Sequence, residues 1–436
     1  YVHRSPGLIH AKRLGPVPTL TPQTVSQRSN NCPRGWYHFR VLSSVQAPVV
    51  SIEQVVDIAQ DDTVVATVDL SRLRHNACIL QRQISPADLM AIVKSNAYGH
   101  GAVPVVRTLH EAGVRHFAVA RVAEAVELRE AGLTAPVLVL AAPLPAHLPR
   151  YAAYSLDVTI PSREIAEAAI AVASPERPLR VHLKVETGMG RIGLRPENVA
   201  DTLARLRRAP GIRLAGLWTH FATASTPDDV FARQQLERFE TLIESLGPLD
   251  DIAHIHAANS GALFFLKRSF RAFDASLVRA GITLYGVTRI PDQAEDVGLL
   301  PALTLRAQVT HTKTVAAGTS VSYGRTWTAP HRTRIATLGV GYGDGYPRVL
   351  SNRGEVGFGK HRYPVAGTVC MDMMMIDLGP PGTQASEAIS VGDWVTLYGP
   401  DGPSVVDVAQ RADTIPYELC CSIAPRVPRQ YVDASG

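Results

Sequence analysis

Residues 1–50 contain no aspartate or glutamate, yet they carry Arg4, Lys12, Arg13, Arg28, Arg34 and Arg40. This local imbalance is the source of the formal net charge of +5 (44 Lys and Arg against 39 Asp and Glu). The rest of the chain is close to neutral, so no basic face suited to nucleic acid is expected in its folded part. Long hydrophobic runs are also missing. The most apolar stretch, APVLVLAAPLPAHLP, is short and broken by prolines, which excludes a membrane-spanning helix there. The few cysteines, Cys32, Cys78, Cys370, Cys420 and Cys421, lack the paired spacing of a zinc knuckle or a disulfide framework. They fit free thiols in a reducing cytoplasm. No G-x-G-x-x-G follows the first strand, which argues against an open dinucleotide-binding sheet.

What is present points to a large, globular, soluble protein. The chain has 436 residues, 46% hydrophobic and 19% charged, enough for two or three domains with a sizeable core. Residues 1–60 are rich in Pro, Ser and Arg and show no periodicity. They are expected to form a disordered or non-native N-terminal extension; a transit peptide would share their Arg-rich, acid-poor composition.

From Thr63 onward the pattern is regular. TVVATVDL alternates like a strand, and LSRLRHNACILQRQI is an amphipathic helix. Eight further strand candidates follow: LMAIVK (89–94), HFAVA (116–120), VLVL (137–140), LDVTI (156–160), RVHLKVE (180–186), LAGLWTH (214–220), DIAHIHAANS (251–260) and LVRAGITLYG (277–286). Helical segments such as RVAEAVELREAG and PENVADTLARLRRA lie between them. Repeated β-then-α units predict an α/β fold, a TIM-like (β/α)8 barrel over 61–299. After Leu300 the helical period stops, and short strands separated by Gly, Pro and Asp predict a C-terminal mostly-β domain over 300–436. The polar, Pro-flanked stretch at 291–301 reads as the linker.

In such barrels the chemistry sits where the strands end. Lys94 ends the first barrel strand within AIVKSNAYGHGA, where an ammonium needs a partner, deprotonation or covalent modification. Glu186 and Arg191 follow the fifth strand, His220 ends the sixth, Asn259 and Ser260 the seventh, and Arg279 and Gly281 belong to the eighth. These residues are expected to converge on one mouth. His254 and His256 share a face of one strand, but with no Cys or carboxylate to complete a ligand set no metal is expected.

Nine segments carry a resemblance: KSNAYGHG, LKVETGMGRIG, THFATA, HAANSGA, VRAGITLYG, VSYGRTW, VGYGDGYPR, AGTVCMDMMMIDLG and PYELCCSIAPRVPR. In this order, over about residues 63–430, they resemble the alanine racemases of the bacterial fold-type III class, which depend on pyridoxal 5′-phosphate (PLP). Ser95 stands where the family usually has Ala. The resemblance implies that Lys94 forms the imine with PLP. It further implies that Tyr98, Ser260, Tyr417 and the backbone of Gly281 and Ile282 hold the cofactor, and that Arg279 faces its pyridine nitrogen with His220 orienting the guanidinium. An arginine does not accept a proton, so the ring stays neutral and transamination is disfavoured. Arg191 would bind the cofactor phenolate and the substrate carboxylate. Lys184 would be either a free amine or an N6-carboxylysine.

The resemblance also implies a two-base mechanism. Lys94 and Tyr323 exchange the α-proton from opposite faces of the substrate. Tyr342 stands at the substrate entrance, the Met371 N–H meets the carboxylate, and Asp372 supports it. Tyr323 would reach the barrel of a second copy, so a homodimer with shared active sites is expected. The implied activity is interconversion of L- and D-alanine for cell-wall peptidoglycan, in the cytoplasm, without nucleic acid or membrane partners. A broad-specificity amino-acid racemase shares these motifs. A fold-type III decarboxylase would carry an acidic residue at position 279 and a catalytic cysteine, for which Cys370 is a candidate by position.

Overall fold

The computed structural model describes residues 62–274, 276–288 and 297–433. The expected extension over 1–60 and most of the expected linker over 291–301 lie outside these residues.

The eight candidate strands form one parallel sheet: β2 (Asp88–Ile92), β3 (His116–Val119), β4 (Val137–Val139), β5 (Asp157–Ile160), β6 (Leu179–Lys184), β7 (Ile212–Trp218), β8 (Ile255–His256) and β9 (Leu277–Ala280). Neighbours in sequence are neighbours in the sheet, and β9 pairs with β2 (Met90 opposite Arg279). The barrel closes between β8 and β9 through the bridges Ile255–Ser276 and Asn259–Arg279. These strands are buried on most of their residues because a parallel sheet is covered on both faces. Amphipathic helices supply the outer cover. The helix Pro196–Arg208, for instance, opens with proline in its first turn, buries Val199, Thr202, Leu203 and Leu206, and ends in Arg205, Arg207 and Arg208.

The second half is built from β10 (Leu303–Val315), β11 (Ser320–Val321), β12 (Trp327–Thr328), β13 (Thr333–Leu338), β14 (Glu355–Phe358), β15 (His361–Pro364), β16 (Met374–Gly379), β17 (Trp394–Tyr398) and β18 (Arg429–Val432). The structure departs from the expected division in one strand. β1 (Val64–Asp69) precedes the barrel in sequence, but it runs antiparallel to β10 and parallel to β18. The range 61–299 therefore includes a strand that the C-terminal sheet holds. Its alternating pattern marked a half-buried strand without specifying which sheet would bury it. Among the described residues no helix is long and apolar enough to cross a membrane.

Candidate active site

Lys94 begins a single turn that no propensity argument anticipates. Ser95, Asn96, Ala97 and Tyr98 all have φ between 52° and 54°. This is a left-handed turn of four non-glycine residues, each costing roughly 1–2 kcal/mol. Tertiary bonds offset the strain. Glu124 accepts from the Ser95 N–H (2.6 Å) and from the N–H groups of Ala120 and Arg121 at the end of β3 (2.8 Å each). Asn96 Oδ1 accepts from the Ala102 N–H (2.7 Å). The short side chain of Ala97 and the ring of Tyr98 are buried beneath the turn. Strain held in this way recurs at functional sites, and here it fixes the Lys94 stem at the C-terminal mouth of the barrel. Burial, and then the Arg191 charge, lower the Lys94 ammonium from its ordinary value, which favours the nucleophilic free amine.

Lys94 lines a cavity of about 450 Å³ together with Tyr98, Arg191, Trp218, His220, Asn259, Ser260, Arg279, Gly281 and Tyr417. One wall suits an anion. The Gly281 N–H donates to Ser260 Oγ (2.9 Å), and a Cβ at position 281 would lie 2.6 Å from the Tyr98 hydroxyl. Glycine therefore leaves the backbone open to close approach. Ile282 is buried at the start of the following 3₁₀ turn, and the rings of Tyr98 and Tyr417 meet edge to face at 5.9 Å. Tyr417 lies in a short helix, Pro416–Ser422, within the part of the chain expected to be mostly β. Pro416 at the first helical position was the available signal. Across the mouth, Glu186 shapes the loop of Arg191 by accepting from the N–H groups of Gly188 (2.5 Å), Gly190 (2.9 Å) and Arg191 (3.3 Å).

Arg279 is 3% exposed. Its guanidinium donates to the backbone oxygens of His256 (2.9 Å), Thr219 (2.8 Å) and Ala257 (2.8 Å), and it meets His256 Nδ1 at 3.0 Å and His220 Nδ1 at 3.3 Å. Burial, and then the Arg191 charge, push it down to about 9, so it remains a cation at neutral pH. Burial and the Arg279 charge hold His256 and His220 well below their ordinary pKa. Both rings are neutral acceptors toward an arginine that only donates.

This fixes the direction of a chain that the sequence reading missed. His256 Nδ1 accepts, so its Nε2–H donates to His182 Nδ1 (3.0 Å). The His182 Nε2–H then donates to Asp157 Oδ2 (3.1 Å), and Asp157 also pairs with Arg180 (2.9 Å). Burial opposes the Asp157 charge, but the bonds and charges of His182 and Arg180 outweigh it and lower the pKa. Two imidazoles thus join the buried cation to a buried carboxylate through the barrel interior. Gly216 makes room for this arrangement, since a Cβ there would meet His182 Nδ1 at 2.2 Å. The only sequence signal was histidine alternating on strands, which had been weighed as a metal pair.

Lys184 is buried beside this chain. Its Nζ donates to the Val185 oxygen (2.6 Å) and lies 5.1 Å from the centroid of the Trp218 ring. Burial, then the Arg279 charge, bring its pKa to about 7.

Four expected residues are not brought to the cavity. Tyr323, Tyr342, Met371 and Asp372 lie on the β domain. Tyr323 is 72% exposed, Tyr342 43% and Met371 53%. They are neighbours, because the Thr368 hydroxyl donates to the Tyr323 oxygen (2.8 Å) and the Tyr342 N–H donates to the Cys370 oxygen (3.0 Å). Arg426 bonds both Asp344 (2.7 Å) and Asp372 (2.8 Å) beside them.

A parallel barrel whose C-terminal mouth gathers a lysine, two arginines and a histidine around one cavity has the layout of a barrel enzyme's active site. Comparison with known proteins narrows this class. The family described as alanine racemase, N-terminal domain, matches residues 68–289, and that described as alanine racemase, C-terminal domain, matches 302–431. The alanine racemase of Halothermothrix orenii is 40% identical over 85% of this chain and 97% of its own length. That of Symbiobacterium thermophilum is 42% identical over 84% and 96%. Among solved structures, the biosynthetic alanine racemase of Pseudomonas aeruginosa superposes with a TM-score of 0.76 at 39% identity, covering 85% of this chain and 99% of that one. The chain belongs to the alanine racemase family and is an isomerase.

Proposed function

We propose that this enzyme interconverts L- and D-alanine with PLP as cofactor, and that two copies of the chain share each active site. The reaction supplies D-alanine for peptidoglycan, as is standard for the family. The residues at the barrel mouth fit PLP. Ser260, Gly281, Ile282, Tyr98 and Tyr417 would hold its phosphate at the cradle that glycine leaves open, and Lys94 would stand at its aldehyde. When bound, PLP supplies that aldehyde for the amine and an electron-withdrawing ring that acidifies the α-carbon. Arg279, positioned by His220 and His256, would face the ring nitrogen as a donor.

The chain's own residues do the rest. Arg191 fixes the substrate carboxylate through its guanidinium fork, and the partner's Met371 N–H meets the same group, with Asp372 in support. Lys94 Nζ removes or returns the α-proton on one face. The partner's Tyr323 hydroxyl does so on the other, and Tyr342 lines the approach. The observation that carries this reading is the division of the groups within one chain: the amine and cations line a cavity, while the second base projects outward at 72% exposure. Lys184, brought to about 7, is free enough of its proton to react with CO₂. An N6-carboxylate there would turn its repulsion with Arg279 and Arg191 into attraction. The four described cysteines, Cys78, Cys370, Cys420 and Cys421, are free thiols, which supports a cytoplasmic setting.

The test is a coupled assay on purified, PLP-loaded protein with L-alanine, L-serine and L-lysine side by side. The expected result is a yellow protein that racemises alanine most efficiently and releases no CO₂. A colourless protein after incubation with PLP, or CO₂ release from lysine, contradicts the proposal.

A further inference from the structure

A second cavity, of about 220 Å³, lies away from the active site. Leu299, Leu303, Val405 and Val406 form the apolar part of its wall, and Thr288, Tyr398, Ser404 and His100 add polar groups. His100 is wholly buried, and its Nε2 has no hydrogen-bond partner among the described residues. Its Nδ1 lies 2.9 Å from the Tyr98 backbone oxygen. A carbonyl only accepts, so Nδ1 carries the proton, and in the neutral ring Nε2 is an acceptor. A buried acceptor left unmade costs free energy.

The other groups at this cavity are uncharged as well. Burial holds His100 at about 4 and pushes the Cys420 thiol up to about 12 and the Tyr398 hydroxyl well above its ordinary value. Arg429 lies near enough to oppose any charge on His100, but four of its N–H groups are spent on the backbone oxygens of Gly99, Ala424, Val427 and Ile423. A charged ligand would find no counter-ion here, and a purely apolar one would leave Nε2 unsatisfied.

We infer that this cavity is a second small-molecule site, selective for a compact, uncharged, apolar molecule that bears one hydrogen-bond donor, as a phenol or small alcohol does, with His100 Nε2 as its acceptor. The site touches the functional turn from behind. His100 bonds the Tyr98 backbone, and its ring packs at 4.4 Å on Tyr285, which in turn packs at 5.1 Å on Tyr98.

Titration of the full-length, PLP-loaded enzyme with phenol and, separately, with toluene tests this inference by calorimetry. An ordinary apolar cavity favours toluene. Here phenol is expected to bind about tenfold more tightly, a difference of about 1.4 kcal/mol. Excess alanine should not displace it, and Val406→Phe, which fills the cavity, should abolish its binding while leaving racemase turnover unchanged. His100→Phe should reverse the preference. Because that variant removes a buried bond, a fold check by circular dichroism accompanies it, and Val406→Phe decides if it does not fold. Toluene binding as well as phenol, displacement of phenol by alanine, or full phenol binding in Val406→Phe would overturn the inference.

Discussion

The barrel mouth and the exposed face of the β domain are built on opposite terms. At the mouth every functional side chain is held from several directions: a strained left-handed turn pinned by Glu124 and Asn96 for Lys94, and three carbonyls and two imidazoles for Arg279. On the β domain Tyr323, Tyr342 and Met371 project outward with little around them. Scattered exposed apolar residues need no explanation, but these are clustered beside the Arg426–Asp372 ion pair, which is where the proposed dimer would place a second copy. One region is held within the chain, and the proposed dimer would cover the other. A reaction needing one proton-transfer group on each face of a planar centre can be divided in this way between two copies related by a two-fold axis.

The sharpest way to break this comparison is to delete one group from each side. Lys94→Ala should lower racemase activity by about 10⁴-fold and abolish the absorbance of the lysine-bound cofactor. Tyr323→Phe should lower activity by about 10²–10³-fold while the cofactor stays bound. Loss of the cofactor in Tyr323→Phe would place Tyr323 in the half held within the chain. The internal support of the mouth is tested through its far end. Asp157→Ala leaves the ligand-facing residues in place but removes the anion that closes the imidazole chain, and it should destabilise the protein by about 3 kcal/mol in urea unfolding. An unchanged midpoint would mean that the chain holds nothing together.

The most gradual effect expected is a pH slope. His100 and His116 are held at about 4, chiefly by burial, against 6.5 when unfolded. The unfolded chain therefore binds more protons between these values. The stability is fully present above pH 6.5 and is lost as pH falls toward 4, by at most about 1.4 kcal/mol per pH unit for each histidine. Denaturant midpoints flat from pH 7 to 4.5 would contradict the buried, neutral assignment.

Much of this was legible in the sequence. All eight barrel strands follow from short apolar runs separated by amphipathic helices, and the convergence of Lys94, Arg191, His220, Ser260 and Arg279 follows from their places at strand ends. Other features resisted for identifiable reasons. The alternation of β1 said that one face would be buried but not by which sheet. KSNAY contains no glycine to announce a left-handed turn, because long-range bonds to Glu124 impose it. His182 and His256 lie 74 residues apart and meet only because β6 and β8 flank β7. The outward position of Tyr323 had no local signature at all. Its pairing with Lys94 across two copies rested on resemblance, and the structure adds the exposure that makes such pairing feasible.

Complementation between the two dead variants addresses the division most directly. Lys94→Ala and Tyr323→Phe are unfolded together, refolded with PLP at equal concentration and assayed for alanine racemisation. If each site joins Lys94 of one copy to Tyr323 of another, the mixed dimer contains one intact site. Random assembly should then restore about one quarter of wild-type activity. Activity no greater than the sum of the two variants alone would contradict the shared site.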